Sequence, residues 1–228
     1  MVTGVAHRGQ VGEAVAEAFA RQGDLVCVVA RSADDANARS ADLAARGHRA
    51  LAFACDLADP AATSALAHAV ASATGRIDAL VNLAGGFAMS GPVADSDPAT
   101  AAHLHRINVD TALLATRAFL PALRQSQGAV VYVASAAALP GARVRNVSAY
   151  AMAKTSVLVL MRAVAQEERA HGVRANAIAP AAIRTAANAE SMPDDTRYVE
   201  REDVAAAVVW LCSPEAAAVT GQVVELSP

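Results

Sequence analysis

The chain of 228 residues has a net charge of -3, and 54% of its residues are hydrophobic, 4% aromatic and 18% charged. One large domain accommodates this length, and no linker divides it, so we expect a single domain over residues 1–228. The charges are interspersed and no apolar run approaches the ~18 residues of a membrane span, which argues against nucleic acid and membranes as partners. Since the N-terminus has no secretory pattern, we expect a cytoplasmic protein.

Short runs rich in Val, Leu and Ile alternate with longer stretches whose apolar residues recur at helical spacing. The predicted strands are 25–30, 50–55, 79–83, 129–134, 174–179 and 222–226. The predicted helices are 12–22, 60–74, 99–125, 150–171 and 201–211. Right-handed crossovers between such units predict an α/β fold with a single doubly wound parallel sheet, buried on both faces by helices.

The first strand is unusual. Only Met1 and Val2 precede Thr3 and Gly4, whereas a strand has about five residues. Either this strand is short or the true start of the chain lies upstream.

A glycine-containing segment, TGVAHRGQVG, follows at residues 3–12. Glycines there let the backbone turn sharply and approach a pyrophosphate, whose charge is met by the amides and the dipole at a helix N-terminus. Glycines also serve ordinary tight turns, so the cluster alone leaves both interpretations open. The predicted cofactor contacts in this loop are Thr3, Gly4, Arg8, Gly9 and Gly12.

Arg31 stands at the end of the second predicted strand, where an acidic residue usually takes the ribose hydroxyls of a dinucleotide. A guanidinium suits a 2′-phosphate, and Arg8 would assist it. Together with Ser32, which we include among the cofactor contacts, this favours NADP(H) over NAD(H), with NAD(H) still possible. The alternative is that both arginines are solvated surface charges. Asp34 and Asp35 are expected on an exposed loop.

Tyr150 and Lys154 are four residues apart and therefore neighbours on one face of a predicted helix. A nearby ammonium favours the phenolate and lowers the pKa of the phenol, which moves it toward efficient general acid/base catalysis. Such pairs also occur by chance, but here a predicted strand ends at Ser135, where doubly wound sheets bind ligands. The Ser135 hydroxyl would donate a hydrogen bond to a substrate carbonyl oxygen.

Three cysteines, Cys27, Cys55 and Cys212, lie in apolar stretches without metal-ligand spacing. We expect buried thiols in a reducing compartment. His103 and His105 are two residues apart and diverge on a helix, so we predict no metal site.

With these motifs in order along the whole chain, the sequence resembles the short-chain dehydrogenase/reductase family. Its glycine-rich loop is approximated by residues 3–12, and its Y-x-x-x-K pair falls on Tyr150 and Lys154. The other motif positions that the resemblance carries over, with adjoining residues expected at the cofactor, are Asp56, Leu57, Asn82, Ala84, Gly85, Asn108, Ser135, Pro180, Ile183 and Thr185.

The resemblance implies that a hydride passes between nicotinamide and a small carbonyl or alcohol substrate while Tyr150 exchanges a proton with the substrate oxygen. It implies that Tyr150 and Lys154 also contact the cofactor, with Lys154 holding the nicotinamide ribose. It further implies that Ser135 orients the substrate and that Asn108 anchors a water that links Lys154 to solvent. Alternatively, Asn108 is a helix residue whose side chain forms its hydrogen bonds with backbone groups. A homodimer or homotetramer, built on the helices that contain Asn108 and Lys154, is also implied.

The chain departs from the family at three places. The loop from Gly4 to Gly12 is two residues longer, and Ala181 replaces the glycine after Pro180. Ser135 lies 15 residues before Tyr150, about two more than in the family, which a longer loop over 140–147 would absorb. Residues 186–199 are expected to form a short lid over an open pocket.

Two other functions are considered. The segments at 84–87, 150–154 and 191–194 resemble dihydropteridine reductases. Those enzymes favour NADH and lack the serine found here as Ser135, so Arg31 and Ser135 argue against that activity. The second is a non-catalytic dinucleotide sensor, which would have no need of the acid/base pair.

Overall fold

Seven parallel strands form one sheet in the computed structural model, which describes residues 1–228. They are β1 (Val2–Thr3), β2 (Val26–Ala30), β3 (Ala50–Ala54), β4 (Ala79–Asn82), β5 (Ala129–Val133), β6 (Arg174–Pro180) and β7 (Val223–Leu226). Their order is β3-β2-β1-β4-β5-β6-β7, with every pairing parallel. The order reverses between β1 and β4, which opens a crevice for ligands at the carboxyl ends of these strands.

Eight α-helices accompany the sheet. They are α1 (Val11–Arg21), α2 (Ala33–Ala45), α3 (Pro60–Thr74), α4 (Pro98–His105), α5 (Thr111–Ser126), α6 (Ser148–Glu167), α7 (Ala186–Ser191) and α8 (Arg201–Cys212). Side chains of α1, α2 and α8, such as Val15 and Val208, form one hydrophobic cluster with the sheet. Side chains of α3 to α6, such as Phe119 and Met161, form a second cluster. The predicted doubly wound sheet with helices on both faces is therefore confirmed.

β1 consists of two residues, and its neighbours hold it on both sides. Val2 pairs with Val28 of β2 and with Val81 of β4, and it is fully buried. The Thr3 side chain donates a hydrogen bond to the main-chain oxygen of Val81 at 3.1 Å. These contacts fix the start of the following glycine-containing loop.

The predicted helix 99–125 is interrupted, and the single-helix prediction was wrong at this point. A π-helical turn over Arg106–Asp110 separates α4 from α5. The Asn108 side chain donates a hydrogen bond of 2.9 Å to the main-chain oxygen of Leu104, one turn earlier. That carbonyl is one that a regular helix would offer to a backbone amide, so the side-chain bond favours the wider turn.

Helix α2 was missed, and the placement of Asp34 and Asp35 on a loop was wrong: both lie in its first turn. The helix buries only Ala36 and Leu43, so its sequence lacks a strong apolar period. Its start is nevertheless encoded, since the Ser32 hydroxyl accepts the Asp35 amide at 3.4 Å and the acidic residues suit the helix N-terminus.

All three cysteines are free thiols, and Cys27 and Cys55 are buried as expected. Cys212 is partly exposed, contrary to the expectation, because it is the last residue of α8 and borders the turn that follows. None of the helices combines the length and apolar character needed to cross a bilayer.

Candidate active site

Three predicted side chains meet beyond the carboxyl end of β5. Ser135 lies two residues after that strand, and α6 carries Tyr150 and Lys154 in its first two turns. Ser135 lies close enough to Tyr150 to lower the pKa of its phenol, and Lys154 Nζ lies 5.8 Å from the centroid of the Tyr150 ring. The phenol, the serine hydroxyl and the ammonium therefore share one site.

Burial is the main cause of the pKa shifts of Tyr150 and Lys154. Burial raises the pKa of Tyr150, and the nearby Ser135 hydroxyl offsets only part of that rise. The expectation that Lys154 lowers the phenol pKa was therefore wrong for the protein alone. Burial lowers the pKa of Lys154 itself to about 8, because the ammonium is desolvated.

Asn108 links the π-helical turn to the loop after β4. Its Nδ2 donates to the main-chain oxygens of Gly86 at 3.0 Å and Leu104 at 2.9 Å, and its Oδ1 accepts the Gly86 amide at 3.2 Å. The side chain is thus satisfied by backbone groups. A Cβ on Gly85 would lie 2.4 Å from Asn108 Oδ1 and 3.4 Å from Lys154 Nζ, so Asn108 and Lys154 approach each other across this glycine.

The sequence did not single out two residues beside Tyr150 for this site. The Phe87 ring packs edge-on against the Tyr150 ring with centroids 5.0 Å apart. Ser90 Oγ accepts the Ala149 amide at 3.4 Å, and the Ser90 amide donates to the Asn146 oxygen at 2.9 Å, which ties the loop after β4 to the start of α6. The signals for Phe87 were its position directly after two glycines and its place in the segment 84–87, and Ser90 had none.

The glycine-containing loop joins β1 to α1 and requires its glycines. Gly4 has φ +74°, and a Cβ there would lie 2.9 Å from the backbone of Ala84. A Cβ on Gly12 would lie 2.6 Å from the Gly4 oxygen. Thr3 Oγ1 accepts the amides of Leu83 and Ala84 at 2.9 and 3.0 Å, so the loop and the end of β4 are locked together.

The loop also presents an amide to an anionic oxygen. The Gly9 amide donates to Glu13 Oε2 at 2.7 Å, so the Glu13 carboxylate occupies the position in which this amide would bind an external anion. The Gly9 oxygen accepts the Ala186 amide at 2.9 Å, which brings the N-terminus of α7 onto the loop. Backbone amides at a helix N-terminus suit phosphate oxygens, so these residues fit a dinucleotide phosphate.

The two arginines expected at a 2′-phosphate differ in their surroundings. Arg31 is exposed directly after β2 and forms no ion pair. Arg8 instead binds Asp42 of α2 through Nε–Oδ2 and Nη2–Oδ1 distances of 3.1 and 2.5 Å. The structure therefore gives Arg8 a partner that the sequence did not indicate.

The remaining predicted cofactor residues lie at the carboxyl ends of other strands. Asp56 follows β3 and pairs with Arg106 at 3.2 Å, while Leu57 is buried. Asn82 ends β4, and its Nδ2 donates to Thr116 Oγ1 at 3.0 Å.

Beyond β6, the chain passes from Pro180 toward α7. Ile183 forms a parallel bridge with Val199, and the Thr185 hydroxyl accepts the Asn188 amide at 3.1 Å at the start of α7. The segment 186–199 is thereby tied down at both ends.

Comparison with known proteins identifies the class. A family model described as "Enoyl-(Acyl carrier protein) reductase", within the short-chain dehydrogenases, matches residues 4–227. The 7alpha-hydroxysteroid dehydrogenase of Escherichia coli is 30% identical over 229 residues, 95% of this chain and 88% of that protein. The D-threitol dehydrogenase of Mycolicibacterium smegmatis is 32% identical over 239 residues, 97% of this chain and 88% of that protein.

A solved structure agrees. A proposed NAD(P)-dependent gluconate 5-dehydrogenase from Beutenbergia cavernae, with NADP bound at low occupancy, superposes with a TM-score of 0.84 at 33% identity, covering 94% of this chain and 90% of that one. The chain belongs to the short-chain dehydrogenase/reductase family. It is an NAD(P)-dependent oxidoreductase of alcohol or carbonyl groups.

Proposed function

We propose that this protein is an NADP(H)-preferring oxidoreductase that uses Tyr150 as its general acid/base. The observation that carries the proposal is the meeting of Ser135, Tyr150 and Lys154 beyond β5. When bound, the nicotinamide would supply or accept the hydride at the substrate carbon.

The chain's own groups handle the proton. In reduction, the Tyr150 hydroxyl donates its proton to the carbonyl oxygen, and the reverse transfer accompanies oxidation of the alcohol. The buried phenol, whose pKa is raised, stays protonated at neutral pH, which is the form that reduction requires. Ser135 Oγ donates a hydrogen bond to the same substrate oxygen, on which negative charge develops.

Lys154 would also bind the nicotinamide ribose, and Asn108 would support a water path from Lys154 to solvent. The other residues we propose for cofactor binding are Thr3, Gly4, Arg8, Gly9, Gly12, Arg31, Ser32, Asp56, Leu57, Asn82, Ala84, Gly85, Pro180, Ile183 and Thr185. The segment 186–199 would form the short lid over the substrate, and its contact with Gly9 through Ala186 supports this role.

The preference for NADP(H) rests on charge. Arg31 is exposed and free of an ion pair where the 2′-phosphate is expected, and Arg8 lies on the adjoining loop. NADP in the related Beutenbergia cavernae structure supports the same choice.

We further propose a cytoplasmic homo-oligomer. The free thiols suit a reducing compartment. Leu113 of α5 and Met152 and Val159 of α6 are exposed apolar side chains on the helices expected to form the dimer contact. Sedimentation velocity distinguishes a dimer or tetramer from a monomer.

The activity is tested by following NADPH and NADH oxidation against a panel of ketones, aldehydes and hydroxy ketones. The proposal requires NADPH-dependent turnover of at least one of these compounds. Saturable NADPH binding without turnover of any compound would instead favour a sensor that binds the dinucleotide but performs no chemistry.

A further inference from the structure

One carboxylate on α2 holds two arginines from different parts of the chain. Asp42 accepts hydrogen bonds from Arg8 Nε and Nη2 at 3.1 and 2.5 Å. Its Oδ2 also lies 3.0 Å from Nη2 of Arg39, one turn earlier on the same helix. Asp42 therefore joins the glycine-containing loop to α2.

The cations of this cluster outnumber its anion. The Arg39 side chain is only 10% exposed, and its Nε and Nη1 are buried without an acceptor. Buried donors are almost always paired, and a charged one left unpaired is costly. Arg46, which also lowers the pKa of Asp42, is itself bound to Glu17 at 2.5 Å. The cluster thus contains N–H donors that have no acceptor.

The cluster lies beside the proposed 2′-phosphate position. Arg8 directly precedes Gly9 of the loop, and Arg31 lies two residues before the start of α2. The Arg8 side chain is 71% exposed, so its guanidinium is free to turn from Asp42 toward a ligand. Arg39 is buried and stays in place.

We propose that Asp42 is a specificity-determining residue. Without cofactor its carboxylate binds Arg8, and when NADP(H) binds it releases Arg8 to the 2′-phosphate. This inference rests on the proposed function. The exchange keeps charges paired: the phosphate binds Arg8, and Asp42 keeps Arg39. Once Arg8 has turned away, Asp42 Oδ1 is free to accept from the Arg39 donors that lack an acceptor. Asp42 thereby lowers the affinity for NADP(H) while leaving binding of NAD(H) unchanged.

Removing the carboxylate should release Arg8 and remove a negative charge close to the phosphate. An exposed ion pair and one nearby charge together correspond to a roughly tenfold change in affinity. Only ligands that carry the 2′-phosphate should bind more tightly.

The test uses isothermal titration calorimetry with adenosine 2′,5′-bisphosphate and with 5′-AMP, which lacks the 2′-phosphate. The full chain, Asp42→Asn and the control Asp24→Asn are compared. Asp24 is an exposed carboxylate two residues before β2, at the amino ends of the strands and away from the proposed phosphate position, with no salt-bridge partner. We expect Asp42→Asn to bind the bisphosphate about tenfold more tightly and 5′-AMP unchanged, with Asp24→Asn matching the original chain.

Asp42→Asn leaves Arg39 without its anion, so its folding is checked by thermal unfolding. If it does not fold, the double variant Arg39→Met/Asp42→Asn removes the buried cation together with its partner and should show the same gain, because Arg8 is released in both.

Unchanged or weaker bisphosphate binding by the folded variant overturns the role of Asp42. Equal binding of the two probes by the original chain also overturns it, because no 2′-phosphate would then be recognised. If NADPH and both probes fail to bind the original chain, the proposed function falls as well.

Discussion

Lys154 Nζ donates a hydrogen bond of 2.9 Å to the main-chain oxygen of Val133, the last residue of β5. The lysine is only 6% exposed, so this bond fixes the ammonium beside Tyr150 in a desolvated place. The position suits chemistry more than stability, because burying a cation with one neutral acceptor disfavours the charged form.

The first prediction concerns stability against pH. Burial lowers the folded-state pKa of Lys154 to about 8 from 10.5, so the unfolded chain binds more protons between these values. The free energy of unfolding attributable to this group should therefore rise, by up to about 3 kcal/mol, as the pH increases from 8 to 10.5. Below pH 8 that contribution is absent.

Urea unfolding at pH 7, 8, 9 and 10 measures this slope, with Lys154→Met as the control. The methionine variant has no proton to exchange at this position, so its free energy of unfolding should rise less, or fall more, with pH than that of the original chain over the same range. Parallel profiles for the two proteins would show that the lysine is not desolvated as described.

The second prediction concerns crowding at Gly85. In Gly85→Ala the new Cβ meets Asn108 Oδ1 at 2.4 Å and must displace it, whereas in Gly86→Ala it meets only the flexible end of Ile107 at 2.9 Å. We expect kcat to fall roughly tenfold to a hundredfold in the first variant and no more than about threefold in the second. If the two variants lost kcat equally, the positions of Asn108 and Lys154 would not contribute to turnover.

The third prediction concerns Arg174. Its guanidinium donates to four main-chain oxygens at the end of α8 and in the following turn, those of Leu211, Cys212, Ser213 and Ala216, at 2.7 to 3.2 Å. Arg174→Met should lower the free energy of unfolding by about 2 kcal/mol, since these acceptors lose a cation at a helix C-terminus. Exposed Arg162→Met, compared by urea unfolding, should change it little.

The fourth prediction concerns cofactor choice. Arg31→Asp should shift the ratio of kcat/KM values from NADPH toward NADH by at least about tenfold, because it replaces attraction to a 2′-phosphate by repulsion. Arg169→Asp, an exposed site two residues after the end of α6, serves as the control for net charge. An unchanged ratio in Arg31→Asp would remove this residue from the phosphate site.

The sequence predicted the sheet well because its strands are short apolar runs, which are buried on both faces in the centre of the sheet, as in β2. It placed Ser135, Tyr150 and Lys154 together because strand ends and helical spacing determine which side chains meet. It missed α2, whose burial depends on Ala36 and Leu43 alone, and the π-helical turn, which depends on a side-chain bond from Asn108. The Arg8–Asp42 pair spans 34 residues, and no local pattern indicates such a contact.

The central claim is that Tyr150 exchanges the proton during hydride transfer. Its most direct test compares kcat and the dissociation constant for NADPH in Tyr150→Phe and in Ser156→Ala, which removes a hydroxyl elsewhere on α6. We predict that Tyr150→Phe loses roughly 10²- to 10⁴-fold in kcat while NADPH affinity stays within about twofold, and that Ser156→Ala retains both. Turnover by a folded Tyr150→Phe at the rate of the original protein would contradict the account.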